Sequence, residues 1–247
     1  LGPAPDASLN ERDLNMMRVF ADFTAHEIES ELETELVLKE KREKINEVIE
    51  NDTLSPVYQP IYSLESDHHV GFESLARFET EPYRAPNVWF ADASDVGLGS
   101  WLEMQAIKKA IRPLPQFPEN VYLTLNASPE TVIADGFAEL FEDYSFKRLV
   151  LEITEHAQVH DYDVLNAAIA PLRKRGMRLA VDDAGSGYSS LQHIVRLKPD
   201  IIKLDIELTS SMDSDPVRYA LGSALISFAR ATNCEIVAEG VETESEL

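Results

Sequence analysis

Two hydrophobic periods divide the chain. Apolar residues at Leu14, Met17, Ala21, Ile28, Leu32, Ile45 and Ile49 follow near-helical spacing, and Ser8-Leu9-Asn10-Glu11 just upstream reads as a capping box. The pattern predicts one long helix from Ser8 to about Glu50. Mixed charge is dense from Glu29 to Glu35 and again from Lys39 to Glu47, too polar a surface to be buried inside one small domain. A helix of this kind links domains, pairs with a copy of itself, or packs along the outside of the next domain.

After a break at Asn51 to Pro56 the period shortens. Extended, β-rich runs are predicted at Val57 to Ile61, Val70 to Phe78, Val121 to Asn126, Leu149 to Thr154, Arg178 to Asp182, Ile201 to Asp205 and Glu235 to Glu239. Helix-patterned segments alternate with them, among them Trp101 to Ile111, Pro129 to Phe141, Val164 to Arg175 and Val217 to Ala231. Such alternation predicts an α/β fold with a largely parallel sheet, of the TIM-type (β/α) barrel kind. Seven strands are found where a closed barrel takes eight. The expectation is therefore a domain over 51–247 lacking its last strand and helix, or completed by a partner, preceded over 1–50 by the end of an upstream unit and a linker helix.

Composition narrows the classes of function. The hydrophobic fraction of 44% is ordinary for a globular chain, and no apolar run approaches the roughly 18 residues a membrane span needs. A formal net charge of -22, from 22 basic and 44 acidic residues, would repel a long phosphate backbone, so a nucleic-acid polymer is not the expected partner. A small anionic ligand stays possible where metal ions neutralise the site. The single Cys234 excludes an internal disulfide framework and points to a reducing, cytoplasmic setting. The chain opens on Leu1 rather than Met and is expected to be a piece of something longer.

The chemistry is legible at the strand ends. In a βα barrel the active site forms at the carboxyl ends of the strands. Those ends carry Glu73, Asn126, Glu152, Asp182-Asp183, Lys203 with Asp205, and Glu239, most of them within or just after apolar runs. One such acid would read as an ordinary ion-paired structural residue; six at strand ends are costly to desolvate without a cation. An oxygen-rich set without clustered His or Cys suits Mg²⁺ or Mn²⁺ rather than Zn²⁺. So many ligands exceed what one Mg²⁺ takes, and two metals about 3.5 to 4 Å apart would use them.

These residues also carry a resemblance. Tyr58-Gln59-Pro60-Ile61, Glu73-Ser74-Leu75 with Arg77, Leu125-Asn126-Ala127-Ser128, Glu152-Ile153-Thr154-Glu155, Asp182-Asp183-Ala184-Gly185-Ser186-Gly187, Lys203-Leu204-Asp205 and Ala238-Glu239-Gly240-Val241-Glu242-Thr243 together resemble the EAL-domain phosphodiesterases. The motifs occur in family order over about 54–247. The resemblance implies hydrolysis of one phosphodiester of cyclic di-GMP to linear pGpG, with Glu73, Asn126, Glu152 and Asp182 holding the metal pair and Asp183 and Glu239 completing the shell. It implies that Lys203 orients the attacking water, that Glu239 shares general-base duty, and that Arg77 contacts phosphate. Gln59, Leu75 and Asp205 match positions near the guanine or its phosphate. Glu155 and Ser186 match residues that hold the loop after the fifth strand, which in the family couples metal binding to dimerisation, so a homodimer is implied. Leu9 to Leu14 with Val19-Phe20-Ala21 faintly resembles the closing helix of a GAF sensory domain, against the alternative of an unrelated linker helix.

Two departures matter. Glu73, Leu75 and Arg77 share one strand face, so Ser74, where the family has Ala, points away from the metal site. Ala184 stands where the family usually has Phe, and losing an aromatic anchor would loosen the loop beside Asp183. The second function class is therefore a catalytically silent module of the same fold that binds cyclic di-GMP or regulates. Gly185-Ser186-Gly187 lacks the third glycine of a dinucleotide-binding turn, and Asp67-His68-His69 and His160-Asp161 lack partner clusters; the histidine pairs read as surface residues.

Overall fold

The computed structural model describes residues 11–153, 159–184, 188–210, 212–241 and 243. Helix α1 (Glu11–Glu50) spans 40 residues, roughly 60 Å of helix. Its apolar positions Leu14, Met17, Phe20, Phe23, Ile28, Leu32 and Leu36 are exposed, whereas Ile45 and Val48 near its end are buried. The helix stops at Asp52, which takes a left-handed backbone with φ 57°.

Seven strands then build one curled sheet in sequence order: β1 (Leu54–Ser63), β2 (His68–Phe78), β3 (Tyr122–Asn126), β4 (Leu149–Ile153), β5 (Arg178–Ala184), β6 (Ile201–Leu204) and β7 (Glu235–Ala238). β1 and β2 form an antiparallel hairpin, and every later pair is parallel. The hairpin turn leaves His68 and His69 exposed.

Around the sheet lie α2 (Pro86–Asp95), α3 (Gly99–Ile111), α4 (Pro129–Val132), α5 (Tyr162–Lys174), α6 (Tyr188–Leu197), α7 (Ile206–Thr209) and α8 (Pro216–Thr232). The predicted helix Pro129 to Phe141 is broken after its first turn. Gly136 takes φ 85°, outside helical space, and the chain resumes only as a short 3-10 turn at Ala138–Phe141.

Because both faces of the parallel strands are covered, β4 and β6 are buried at every position. On β4, Leu149, Leu151 and Ile153 face the helices in the main core. The alternate positions face the inside of the curl, where Tyr122, Val150, Ala180 and Ile201 make an apolar floor with Ile61, Val70 and Val237. Arg178 closes that floor from the strands' amino end, its guanidinium 4.3 Å from the Tyr122 ring centroid and 3.0 Å from Glu235. A third core gathers Ile45 and Val48 of α1 with Leu54, Phe78, Trp89 and Leu102.

The Tyr122 ring fits because residue 71 on the neighbouring strand has no side chain; a Cβ there would lie 2.6 Å from the ring. Gly71→Ala should lower stability by about 1–3 kcal/mol, the usual cost of overpacking. Urea unfolding measures this, and the loss should shrink in a Tyr122→Leu background, where the ring is gone.

Candidate functional site

Two residues beyond the apolar floor, the same inward face turns polar. The period of two carries Tyr122 to Thr124, Val150 to Glu152, Ala180 to Asp182 and Ile201 to Lys203; β2 adds Glu73, and Glu239 follows directly after β7. These side chains meet at one point. Lys203 Nζ lies 2.7 Å from Glu239 Oε1, 2.9 Å from Asp182 Oδ1, and 3.2 Å from both Glu73 Oε2 and Glu152 Oε2. The lysine is 2% exposed and Glu152 only 1%, whereas Glu239 is 29% exposed and forms the open side of the cluster.

Four carboxylates against one ammonium leave a large negative excess in a dry place. Burial works to discharge Lys203, but the surrounding acids, Glu152 foremost, outweigh it and hold the ammonium charged well above its ordinary range. Burial pushes Glu152 up to about 8 against the attraction of Lys203. Glu239 is also raised, chiefly by burial. The acids are thus under-neutralised by the lysine alone.

Strand β5 is irregular where it matters. Its register with β6 runs Ala180 to Ile201 and Val181 to Ile202, then skips to Ala184 opposite Leu204, so Asp182 and Asp183 together oppose Lys203. A regular strand would send consecutive aspartates to opposite faces; here a bulge interrupts that alternation, and Asp182 reaches the Lys203 ammonium. Asp183 takes φ 54°, a left-handed conformation that Asp tolerates better than most residues, and its N–H donates to Asp182 Oδ1 at 3.1 Å. Ala184, next in the strand, is fully buried in the main core.

Asn126 ends β3 and donates from Nδ2 to Glu73 Oε1 at 3.4 Å, bringing it to the edge of the cluster. Ser74 points the other way, its hydroxyl donating to the Thr124 carbonyl at 2.8 Å. Leu75 and Arg77 lie further along β2 and, with Asn126, line a pocket of about 370 Å³ whose opposite wall is Asn87 and Phe90 of α2 and Glu103 and Lys109 of α3. Gln59 is exposed on β1 and pairs in register with Glu73. Asp205 caps α7, accepting from the Glu207 N–H at 2.5 Å, while Thr209 of that helix donates to the Glu239 carbonyl. Its carboxylate therefore shapes the turn beneath Glu239. Glu155 and Ser186 lie outside the described residues.

Glu103 carries no signal in the sequence that marks it. It sits on an amphipathic helix, and its carboxylate reaches Ser128, 25 residues away, accepting from the backbone N–H at 2.8 Å and the hydroxyl at 2.9 Å.

The cluster fits divalent cations. Glu73, Asp182 and Glu239 each offer an oxygen within 4.8 Å of the others, the donor set is all oxygen, and the negative excess asks for positive charge. Thr124 Oγ1, buried in the same polar layer, has no hydrogen-bond partner among the described residues.

Comparison with known proteins agrees with this geometry. The chain is 29% identical over 197 residues to the probable cyclic di-GMP phosphodiesterase PdeD of Escherichia coli, covering 76% of this chain and 37% of that protein. Its fold matches the PaMucR phosphodiesterase in complex with c-di-GMP at TM-score 0.74 and 26% identity, over 84% of this chain and 89% of the other. A manganese and cyclic di-GMP complex of Klebsiella pneumoniae BlrP1 matches at TM-score 0.70 and 26% identity, over 78% and 51% of the two chains. The chain spans about a third of the length of the curated relatives it matches. The EAL domain family matches residues 42–247, which takes in every strand and the whole acidic cluster, and the chain belongs to that family.

Proposed function

We propose that this domain hydrolyses one phosphodiester of cyclic di-GMP to pGpG, using Mg²⁺ or Mn²⁺ held by Glu73, Asn126, Glu152, Asp182, Asp183 and Glu239. The observation that carries the reading is the convergence of four strand-end carboxylates on one buried lysine, in a chain of the EAL family. Two divalent cations, when bound, neutralise the phosphate and lower the pKa of water. The chain's own groups do the rest. Lys203, fixed by four acids, is a rigid donor that orients the attacking water. Glu239, the most open acid and one whose proton affinity burial has raised, is placed to accept the water's proton. Arg77, exposed at the pocket edge, meets phosphate, and Leu75 with Gln59 lies on the base side. Exposed apolar positions on α1 support pairing with a second copy, which would follow a signal arriving from an upstream sensory unit.

A second reading, a silent binding module, is favoured by Ala184, whose small buried side chain adds no aromatic anchor beside Asp183. Incubation with cyclic di-GMP and Mn²⁺ or Mg²⁺, followed by chromatography, separates the two. The enzyme reading expects pGpG, its loss on adding EDTA, and a drop of about 100-fold or more in Glu73→Ala and Asp182→Ala. Binding without turnover would establish the silent module instead.

The buried acids also set a pH dependence. Glu152 binds its proton up to about pH 8 in the folded chain, against an ordinary value of 4.5, and Glu239 moves the same way. Between those values the folded state holds more protons than the unfolded one, so metal-free stability is greatest below the window and falls as pH rises through it. The melting temperature of EDTA-treated protein should drop from about pH 5 to about pH 8. Glu152→Gln should flatten that slope; a flat wild-type profile would count against the buried-acid assignment.

A further inference from the structure

We infer that Glu103, on the helix behind the sheet, is a positioning residue for Asn126. The inference rests on the reading of Asn126 as a metal ligand.

Asn126 is the last residue of β3, and the turn after it, Ala127 and Ser128, is clamped from two sides. The Ala127 N–H donates to the Glu152 carbonyl at 3.1 Å, tying the chain to the next strand. Glu103 Oε2 takes both the Ser128 N–H and the Ser128 hydroxyl, and that hydroxyl in turn accepts from Thr131 N at 3.3 Å to cap α4. Bonds to an ionised carboxylate are about twice as strong as neutral ones, so this grip is the firmest in the turn. Asn126 Nδ2 is spent on Glu73, which leaves Oδ1 as the atom for a cation. Where Oδ1 lies is therefore decided by the turn, and the turn by Glu103.

The charge pattern of the pocket is consistent with that role. Among its lining residues the charged groups are Arg77, Lys109 and Glu103. Lys109 is held by Asp52 and the Leu54 carbonyl, which leaves Arg77 to meet an anionic ligand, a task that the acid Glu103 does not suit. Its carboxylate is instead committed to Ser128, a task in which negative charge strengthens both bonds.

The test is calorimetric titration of Mn²⁺ into the full chain as wild type, Glu103→Ala, Glu103→Gln, Asn126→Ala and the Glu103→Ala/Asn126→Ala double variant. Circular dichroism confirms that each is folded. Mn²⁺ affinity should fall about 10-fold in Glu103→Ala, the usual effect of removing a residue that orients a ligand, and Glu103→Gln, which keeps an acceptor oxygen, should recover to within ~3-fold. In the Asn126→Ala background the same Glu103→Ala change should cost less than ~2-fold, because the group it positions is gone. If Glu103→Ala does not fold, Glu103→Asp, one methylene shorter, carries the comparison. Unchanged affinity in Glu103→Ala, or an equal loss in both backgrounds, overturns the inference while leaving the proposed function standing. A wild-type chain that neither binds Mn²⁺ nor turns over cyclic di-GMP overturns both.

Discussion

A single buried ammonium makes the interior of this sheet possible. Lys203 is nearly inaccessible and lies within hydrogen-bonding distance of four carboxylates, three from other strands and one, Glu239, directly after β7. Without it those acids would be like charges packed together in a low-dielectric space, and they would hold protons or drive the strands apart. With it they are still in excess, and burial, helped by the neighbouring acids Glu73 and Asp182, keeps the proton on Glu152 to about 8. The lysine thus organises the cluster without satisfying it, and the remaining negative charge is what suits the site to the cations proposed for it.

The rest of the architecture serves that arrangement. Strands β4 and β6, buried on both faces, hold Glu152 and Lys203 at positions with little freedom, and the apolar floor beneath shuts water out from below. The proposed chemistry sits on this rigid part. The groups proposed for ligand contact, Leu75 and Arg77, sit instead on the antiparallel hairpin at the sheet edge, facing α2 and α3 across a pocket. The same α2 carries Asp92 and Asp95, which bind Lys41 of α1 at 2.8 and 2.5 Å, while Arg42 donates to the Val96 carbonyl. One short helix is therefore shared between the pocket wall and the foot of the long N-terminal helix.

Local irregularity appears where the site needs it. The bulge at Asp182 and Asp183 sets two adjacent acids opposite Lys203 in the register, at the cost of a left-handed aspartate. Holding a residue there costs on the order of 1–3 kcal/mol, and the surrounding pairing must supply it. Ala184 resumes the register at once, fully buried opposite Leu204. The small residue is accommodated within the strand itself.

Much of this was legible in the chain because the governing pattern is local. A period of two in Leu149 to Glu152 or Ile201 to Asp205 states which residues share a face, and carboxylates interrupting apolar runs state where that face becomes polar. All seven strands and the oxygen-rich character of the site follow from such short windows, as does the opposite facing of Ser74 and Glu73. Folding alone settled that Glu73, Glu152, Asp182 and Glu239 share one ammonium, that β5 slips its register at Asp182, that the helix from Pro129 ends after one turn, and that Glu103 grips Ser128. Each of these depends on the relative placement of segments tens of residues apart, and the energies that fix it come from packing and desolvation between elements, which no window of local sequence contains.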